Sequence, residues 1–297
     1  MLKFLSRRLD DLITGVFLLA VFTAAVLWPP VFATSGGQLL TQAVLGSICV
    51  LTVALLVGAR FSGVAGQVLR LVLAFAPIVV AVVGYVSLKL LHASSITSWL
   101  AIPSRDHWMM AADTLLFGKT PLLYLGGGWL GSELFLRAMA GLYAAYPFTP
   151  LAAMAWFYFK GDVAQFRLIR RAMVISLYLG YCCYVLVPVS GPLSLMGPGA
   201  RSFLQSTETY TFLADNFRYG FDCFPSLHTA NPWLIVWLCR GRLPGWVMTA
   251  SIAVCVGITF STIALKVHYG IDDVAGLAWA LLMAQLARAT MPCQAAA

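Results

Sequence analysis

The chain has 297 residues, of which 61% are hydrophobic and 10% charged, and its mean hydropathy is +0.86. A soluble domain carries about 25% charged residues, so this composition excludes an ordinary soluble globule and points to a polytopic membrane protein. The net charge of +8 then reports membrane orientation, because no basic, aromatic-interleaved patch and no zinc-ligand spacing argues for nucleic acid.

Eight apolar runs approach the roughly 20 residues needed to cross a bilayer. In chain order they are Leu12–Leu27, Leu39–Val57, Val68–Leu90, Leu134–Phe157, Ile169–Val187, Leu227–Leu238, Trp246–Leu265 and Val274–Leu286. The first lacks a small-residue cleavage site and reads as a retained helix. With the N-terminus in the cytoplasm, cytoplasmic segments hold 12 of the 19 Lys and Arg. These include Arg7, Arg8, Arg60, Arg70, Lys160, Arg240 and Arg242, all in short loops, where the positive-inside rule weighs most. Both termini are therefore expected on the cytoplasmic side.

Two long segments fall on the opposite, exoplasmic side. His92–Glu133 carries Trp99, Arg105, Asp106, His107, Trp108 and the run Asp113-Thr-Leu-Leu-Phe-Gly-Lys-Thr-Pro121. Its tryptophans and mixed polarity suit a helix lying in the interface. Pro188–Pro225 carries Arg201, Glu208, Asp215, Arg218 and Asp222. The seven cysteines lie mostly in apolar runs and form no ligand spacing or disulfide framework.

The chemistry concentrates at the exoplasmic ends of the last three runs. Phe224-Pro-Ser-Leu-His228 opens the sixth, and Ser261 to Gly276 joins the seventh to the eighth with Lys266, His268, Asp272 and Asp273. Ionisable groups beside or within a bilayer are costly and mark function by default. His268 and Asp272 are four apart, so on a helix the carboxylate reaches the imidazole. Asp273 reads as solvent-facing or capping. His228 precedes His268 by 40 residues, enough for two antiparallel spans that return the chain to the same membrane face. Two histidines, a carboxylate, Ser226 and a helix N-terminus suit phosphoryl transfer. No metal is expected if cations and backbone N–H groups carry the phosphate charge.

At these residues the chain resembles the type-2 phosphatidate phosphatase superfamily, which includes the vanadium haloperoxidases. The pattern of that family is a Lys…Arg-Pro segment, Pro-Ser-Gly-His, and Ser-Arg-x5-His-x3-Asp. Here Leu227 replaces the Gly of the second part, Thr262 replaces the Arg of the third, and the first part is missing. Pro-Ser-Leu-His, Lys266, Asp113-x2-Leu-Phe-Gly-x2-Pro121 and Gly180-Tyr-x2-Tyr184-x3-Pro188-x2-Gly-Pro192 resemble one branch, that of fungal inositol phosphorylceramide synthase, the aureobasidin-target inositolphosphotransferase. The resemblance spans roughly residues 100–285. It implies that His268 is the nucleophile, that Asp272 orients it, and that His228 is general acid and then base. Ser226 would bind phosphate. Lys266 would supply part of the missing Arg charge, or else snorkel to water; Arg137, Arg201 and Arg218 lie on the correct side to contribute.

The sequence thus predicts an all-α integral membrane fold of about eight transmembrane helices, with a six-helix phosphatase-like core and exoplasmic interfacial segments. Residues 1–91 are read as N-terminal helices and 92–297 as the catalytic membrane domain. The expected function is a lipid phosphotransferase or phosphatase using a phosphohistidine and no cofactor. Its partners would be a membrane lipid substrate and an acceptor, either a lipid or small hydroxyl or water, with no nucleic acid. A non-enzymatic transporter or scaffold is the reading of another class.

Overall fold

The structure is a computed structural model, described here for residues 9–27, 63–92, 102–118, 132–195 and 220–291. Within them the fold is all-α. The helices are α1 (Leu9–Leu27), α2 (Gly63–His92), α3 (Asp106–Phe117), α4 (Glu133–Ala144), α5 (Phe148–Phe159), α6 (Val163–Leu186), α7 (Pro192–Leu195), α8 (Leu227–Cys239), α9 (Gly245–Ala264) and α10 (Gly270–Thr290). An isolated parallel bridge pairs Val189 with Asp222. The span expected over Leu39–Val57 lies outside the described residues. Among the described residues, four helices are long and apolar enough to cross a membrane: the Gly66–Tyr85 part of α2, and α6, α9 and α10. The chain is an integral membrane protein.

One expected span is resolved differently. Leu134–Phe157 is not continuous: α4 and α5 are separated by a turn at Ala145, Tyr146 and Pro147. Pro147 has no N–H to donate and its ring would clash with the carbonyl four residues back, so the helix stops there. Pro150 falls in the first turn of α5, where a missing donor costs nothing. Apolarity alone could not show this break, since both halves are largely apolar.

Helix α6 is the centre of the bundle. Fifteen of its residues are buried. Ile169, Met173 and Leu177 share one apolar core with Ile78 and Ala81 of α2, Leu234 and Leu238 of α8, and Ala280 and Met283 of α10. Large apolar residues also face outward, among them Val79, Leu179, Leu186, Ile252, Val256 and Leu282, as lipid contact requires. The interior instead holds polar links. Ser176 Oγ donates to Asn231 Oδ1 at 2.8 Å and accepts from Trp279 Nε1 at 3.1 Å, joining α6, α8 and α10. Such bonds between membrane helices add modestly to packing. Toward the other end of α6, Arg170 pairs with Asp10 of α1 and donates to the Ala74 carbonyl of α2. Arg171 lies 3.8 Å from Asp10. The N-terminal helices are thereby anchored to α6 through buried charge, which is strongly unfavourable to break.

Two glycines set the closest helix approaches. A Cβ on Gly276 of α10 would stand 2.6 Å from the Ser226 carbonyl oxygen and 3.2 Å from Thr229 Cβ. A Cβ on Gly180 of α6 would stand 2.8 Å from Leu227 Cδ1. Leu227 is the residue that replaces a Gly of the family pattern, and Gly180 supplies the room for its side chain. At Gly276 the obstacle is backbone and cannot rotate away; at Gly180 it is the end of a leucine. Gly276→Ala is therefore expected to destabilise the detergent-solubilised protein by about 1–3 kcal/mol, the usual cost of overpacking. Gly180→Ala should cost clearly less, and thermal melts of the two variants check the order.

Candidate active site

The site forms where α8 and α10 begin. Ser226 caps α8: its Oγ accepts the Thr229 N–H at 3.3 Å, so Pro225 lies before the cap instead of in the first turn. The Ser226 N–H donates to the Asp272 carbonyl at 3.1 Å, and Ser226 is fully buried. This bond joins the first turns of the two helices. The hydroxyl proton of Ser226 is not used in its capping bond.

The histidines meet. Their ring centroids are 5.7 Å apart. His268 is 1% exposed, whereas His228 is half-buried. His268 Nδ1 lies 3.0 Å from the Cys223 carbonyl and 3.5 Å from Asp272 Oδ2. A carbonyl only accepts, so Nδ1 carries the proton and Nε2 keeps the lone pair. The tautomer that sequence reasoning assigned to Asp272 is thus held first by a backbone oxygen. Asp272 stands slightly beyond normal hydrogen-bond range and acts on the ring by charge. Its Oδ2 accepts the Tyr269 N–H at 2.9 Å, so the same carboxylate also caps α10. His228 is enclosed by two tyrosines: Tyr143 stacks on it at 4.1 Å and 18°, and Tyr146 leans on it at 4.1 Å and 51°.

Asp273 is not solvent-facing. It is 5% exposed and accepts from Thr229 Oγ1 at 2.6 Å and from Thr262 Oγ1 at 2.7 Å. Thr262, which stands where the family pattern has Arg, is therefore a buried partner of Asp273. Three residues on, the chain leaves α9. Lys266 is left-handed, with φ of 58°. The Lys266 N–H bonds the Ile263 carbonyl at 2.9 Å, and the Val267 N–H bonds the Thr262 carbonyl at 3.0 Å. This is the Schellman end of a helix, where glycine is the usual residue. A lysine there carries a strain of about 1–2 kcal/mol, and Lys266 is only half-buried.

Helix α3 braces this turn from outside. Asp113, fully buried, accepts from the N–H groups of Gly270 at 3.1 Å and Ile271 at 2.7 Å, so it caps α10 from another helix. Burial pushes its carboxyl up, and the two N–H bonds oppose that shift. Asp106 accepts from Ser190 N at 3.0 Å, Gly191 N at 2.9 Å and the Tyr269 hydroxyl at 3.0 Å. Burial first, and then the Asp106 charge, push the Tyr269 phenol far above its ordinary value, so it remains a donor. Gly191 has φ of 85°, and a Cβ there would lie 2.2 Å from the Val267 carbonyl oxygen. Two carboxylates of one short helix thus pin both the 188–191 loop and the His268 turn.

Of the other predicted residues, Arg137 is not gathered here. Arg137 lies on an exposed face of α4, paired with Glu133 at 2.5 Å. Arg201 and Arg218 lie outside the described residues. Sequence reasoning missed Tyr143, Tyr146 and the bracing roles of Asp106 and Asp113. The Asp113 motif was visible, but its target 157 residues away was not. Cys223 Sγ, His268 Nδ1 and an Asp272 oxygen lie within 4.8 Å of one another and are all buried. That donor set would suit a soft divalent ion such as zinc, although Nδ1 and Sγ already bond the carbonyls of Cys223 and Val267.

Comparison with known families finds a match to the PAP2 superfamily over residues 107–286. No curated protein and no solved structure matches the chain. The matched stretch runs from the second residue of α3 through most of α10, and it contains both histidines, the Asp272 cap and Asp113 of α3. Membership carries a general activity, that of a phosphatase or phosphotransferase of lipid phosphates acting on a membrane lipid, with water or another acceptor. More than half the chain is matched, on the same helices that bring His228 and His268 together, so this protein belongs to the PAP2 superfamily.

Proposed function

We propose that the protein transfers a phosphoryl or phosphorylated head group of a membrane lipid through a phosphohistidine on His268, at the exoplasmic face. The observation that carries this reading is the 5.7 Å separation of the His228 and His268 rings, with His268 Nδ1 committed to the Cys223 carbonyl. That commitment leaves Nε2 as the nucleophile. In the first step Nε2 attacks phosphorus, the bond from phosphorus to the leaving oxygen breaks, and His228 gives that oxygen a proton. In the second step an acceptor oxygen attacks phosphorus, His228 takes the acceptor's proton, and the phosphorus–nitrogen bond breaks. Asp272 stabilises the charge that develops on His268. Ser226 has a hydroxyl proton to offer the phosphate, and Lys266 supplies positive charge.

The motif departures favour the inositol phosphorylceramide synthase branch, with a hydroxyl as acceptor. Gly180 and Leu227 support it, since two of the branch features fit one another by shape. The alternative is water as acceptor, which makes the enzyme a plain lipid-phosphate or polyprenyl-phosphate phosphatase. Helices α1 and α2 belong to this unit in our reading, because Tyr85 of α2 donates a hydrogen bond to Asp222 and Arg170 holds Asp10 of α1. Neither mechanism requires a metal.

His268→Ala is expected to abolish both phosphate release and head-group exchange across a panel of phospholipids, with the fold retained. Equal activity of mutant and wild type on every lipid would sink the phosphohistidine reading. Exchange onto an added hydroxyl acceptor separates transferase from phosphatase. For the side of the membrane, a reporter fused after Arg242 should read cytoplasmic and one within residues 196–219 exoplasmic; the reverse result would move the site to the cytosol. Lys266→Gly divides backbone from charge. It should relieve the left-handed strain and raise the melting temperature, while lowering kcat/KM on lipid phosphate about 100–1000-fold, the loss typical of one charge-stabilising group. Unchanged kcat/KM would make Lys266 a surface lysine only.

A further inference from the structure

The geometry points to Tyr143 and Tyr146 as an aromatic clamp that fixes the His228 imidazole and favours its charged form, which makes them positioning residues for the proton-donating half of the reaction. This inference rests on the proposed acid role of His228. A histidine ring turns about two side-chain torsions, so its plane is set by what packs against it. Here two rings hold it. Tyr143 is parallel to the imidazole within 18°, at 4.1 Å, and Tyr146 closes in at the same distance from a different angle, 51°. His268 lies beyond, at 5.7 Å.

The clamp is itself rigid. Tyr143 is 7% exposed and shares a small apolar cluster with Leu136 and Ala140 of α4 and with Leu265 and Val267, the residues that lead into His268. The element that grips one histidine therefore packs against the approach to the other. Tyr146 sits in the turn before Pro147, and the helix break sets it at a different tilt from Tyr143. Aromatic faces are electron-rich and attract a cation lying over them. An imidazolium between two phenol faces is stabilised more than the neutral ring. The titratable groups about it are His268, the two tyrosines and Asp222, whose charge reaches Tyr146. His228 stays half-buried, so the ring is not sealed off from a leaving oxygen.

A general acid matters most when the leaving group is poor. The test compares an alkyl lipid phosphate, which needs a proton, with an aryl phosphate ester, which does not. The full chain in detergent is assayed as wild type, Tyr143→Leu, Tyr143→Phe, Tyr146→Leu and His228→Ala. Tyr143→Leu should lose roughly 10–100-fold in kcat on the alkyl substrate, a share of what general acid catalysis contributes, and only about threefold on the aryl one. Tyr143→Phe keeps the ring face and should stay near wild type on both. Tyr146→Leu should show the same selective loss, smaller in size, and serves if Tyr143→Leu does not fold. An equal loss on both substrates in the Leu variants makes the tyrosines structural only and overturns the clamp. A Tyr143→Phe loss as large as that of Leu assigns the effect to the hydroxyl and also overturns it. If Tyr143→Leu is not selective while His228→Ala is, the acid role stands and the clamp fails. If His228→Ala shows no preference between the substrates, the acid role of His228 falls, and the clamp with it.

Discussion

The hydrogen bond from the Ser226 N–H to the Asp272 carbonyl is the contact on which the site depends. It joins the first turns of α8 and α10, and each of those turns carries or abuts a histidine. The bond exists only because the helices approach closely at Gly276, where no Cβ fits against the Ser226 carbonyl. From it follow the neighbouring contacts: the Cys223 carbonyl on His268 Nδ1, and the Asp273 carboxylate between Thr229 and Thr262. A catalytic pair needs its partners placed to a fraction of an ångström. Backbone-to-backbone contact at a glycine is stiffer than any side-chain contact, and it is used here at the point of greatest need.

Polar groups around the site are organised to satisfy helix ends. The orphan N–H groups that open α10 are taken by Asp113 from α3 and by Asp272 from within. Leaving two buried N–H groups without an acceptor would cost about 1–3 kcal/mol each. Asp106 does the same for the 188–191 loop. Acidic residues that read as surface charges of an interfacial segment are thus internal anchors. Among the described residues, the one non-glycine with a left-handed backbone, Lys266, falls at the end of α9, two residues from His268. A left-handed lysine persists where glycine would be easier, and strain of this kind gathers at functional sites.

Departures from the family pattern become intelligible in pairs. Leu227, in place of a glycine, is matched by the open Gly180. Thr262, in place of an arginine, is matched by the Asp273 hydrogen bond. In each case the substituted side chain meets its counterpart on another helix: Leu227 the space at Gly180, and Thr262 the carboxylate of Asp273. Lys266 is the cation nearest in sequence to the vacated arginine position, and it has its own conformational demand.

Much of the membrane architecture was legible in the chain. The apolar runs at 169–187, 227–238, 246–265 and 274–286 announced helices that the structure places at 163–186, 227–239, 245–264 and 270–290, because a lipid-facing or core helix must be apolar over its whole length. The spacing from His228 to His268 was legible too, since two spans return a chain to the face it left. What the sequence by itself determined was therefore element type, rough length and the likeness of two histidine motifs to one family. Tertiary structure alone decided the rest: the break at Pro147 that sets the tilt of Tyr146, the burial of Asp273, the Cys223 carbonyl that fixes the His268 tautomer, and Asp113 capping a helix 157 residues away. These are contacts between residues far apart in the chain. Local pattern carries the cost of exposing or burying a residue, but it carries no record of which distant group will stand opposite.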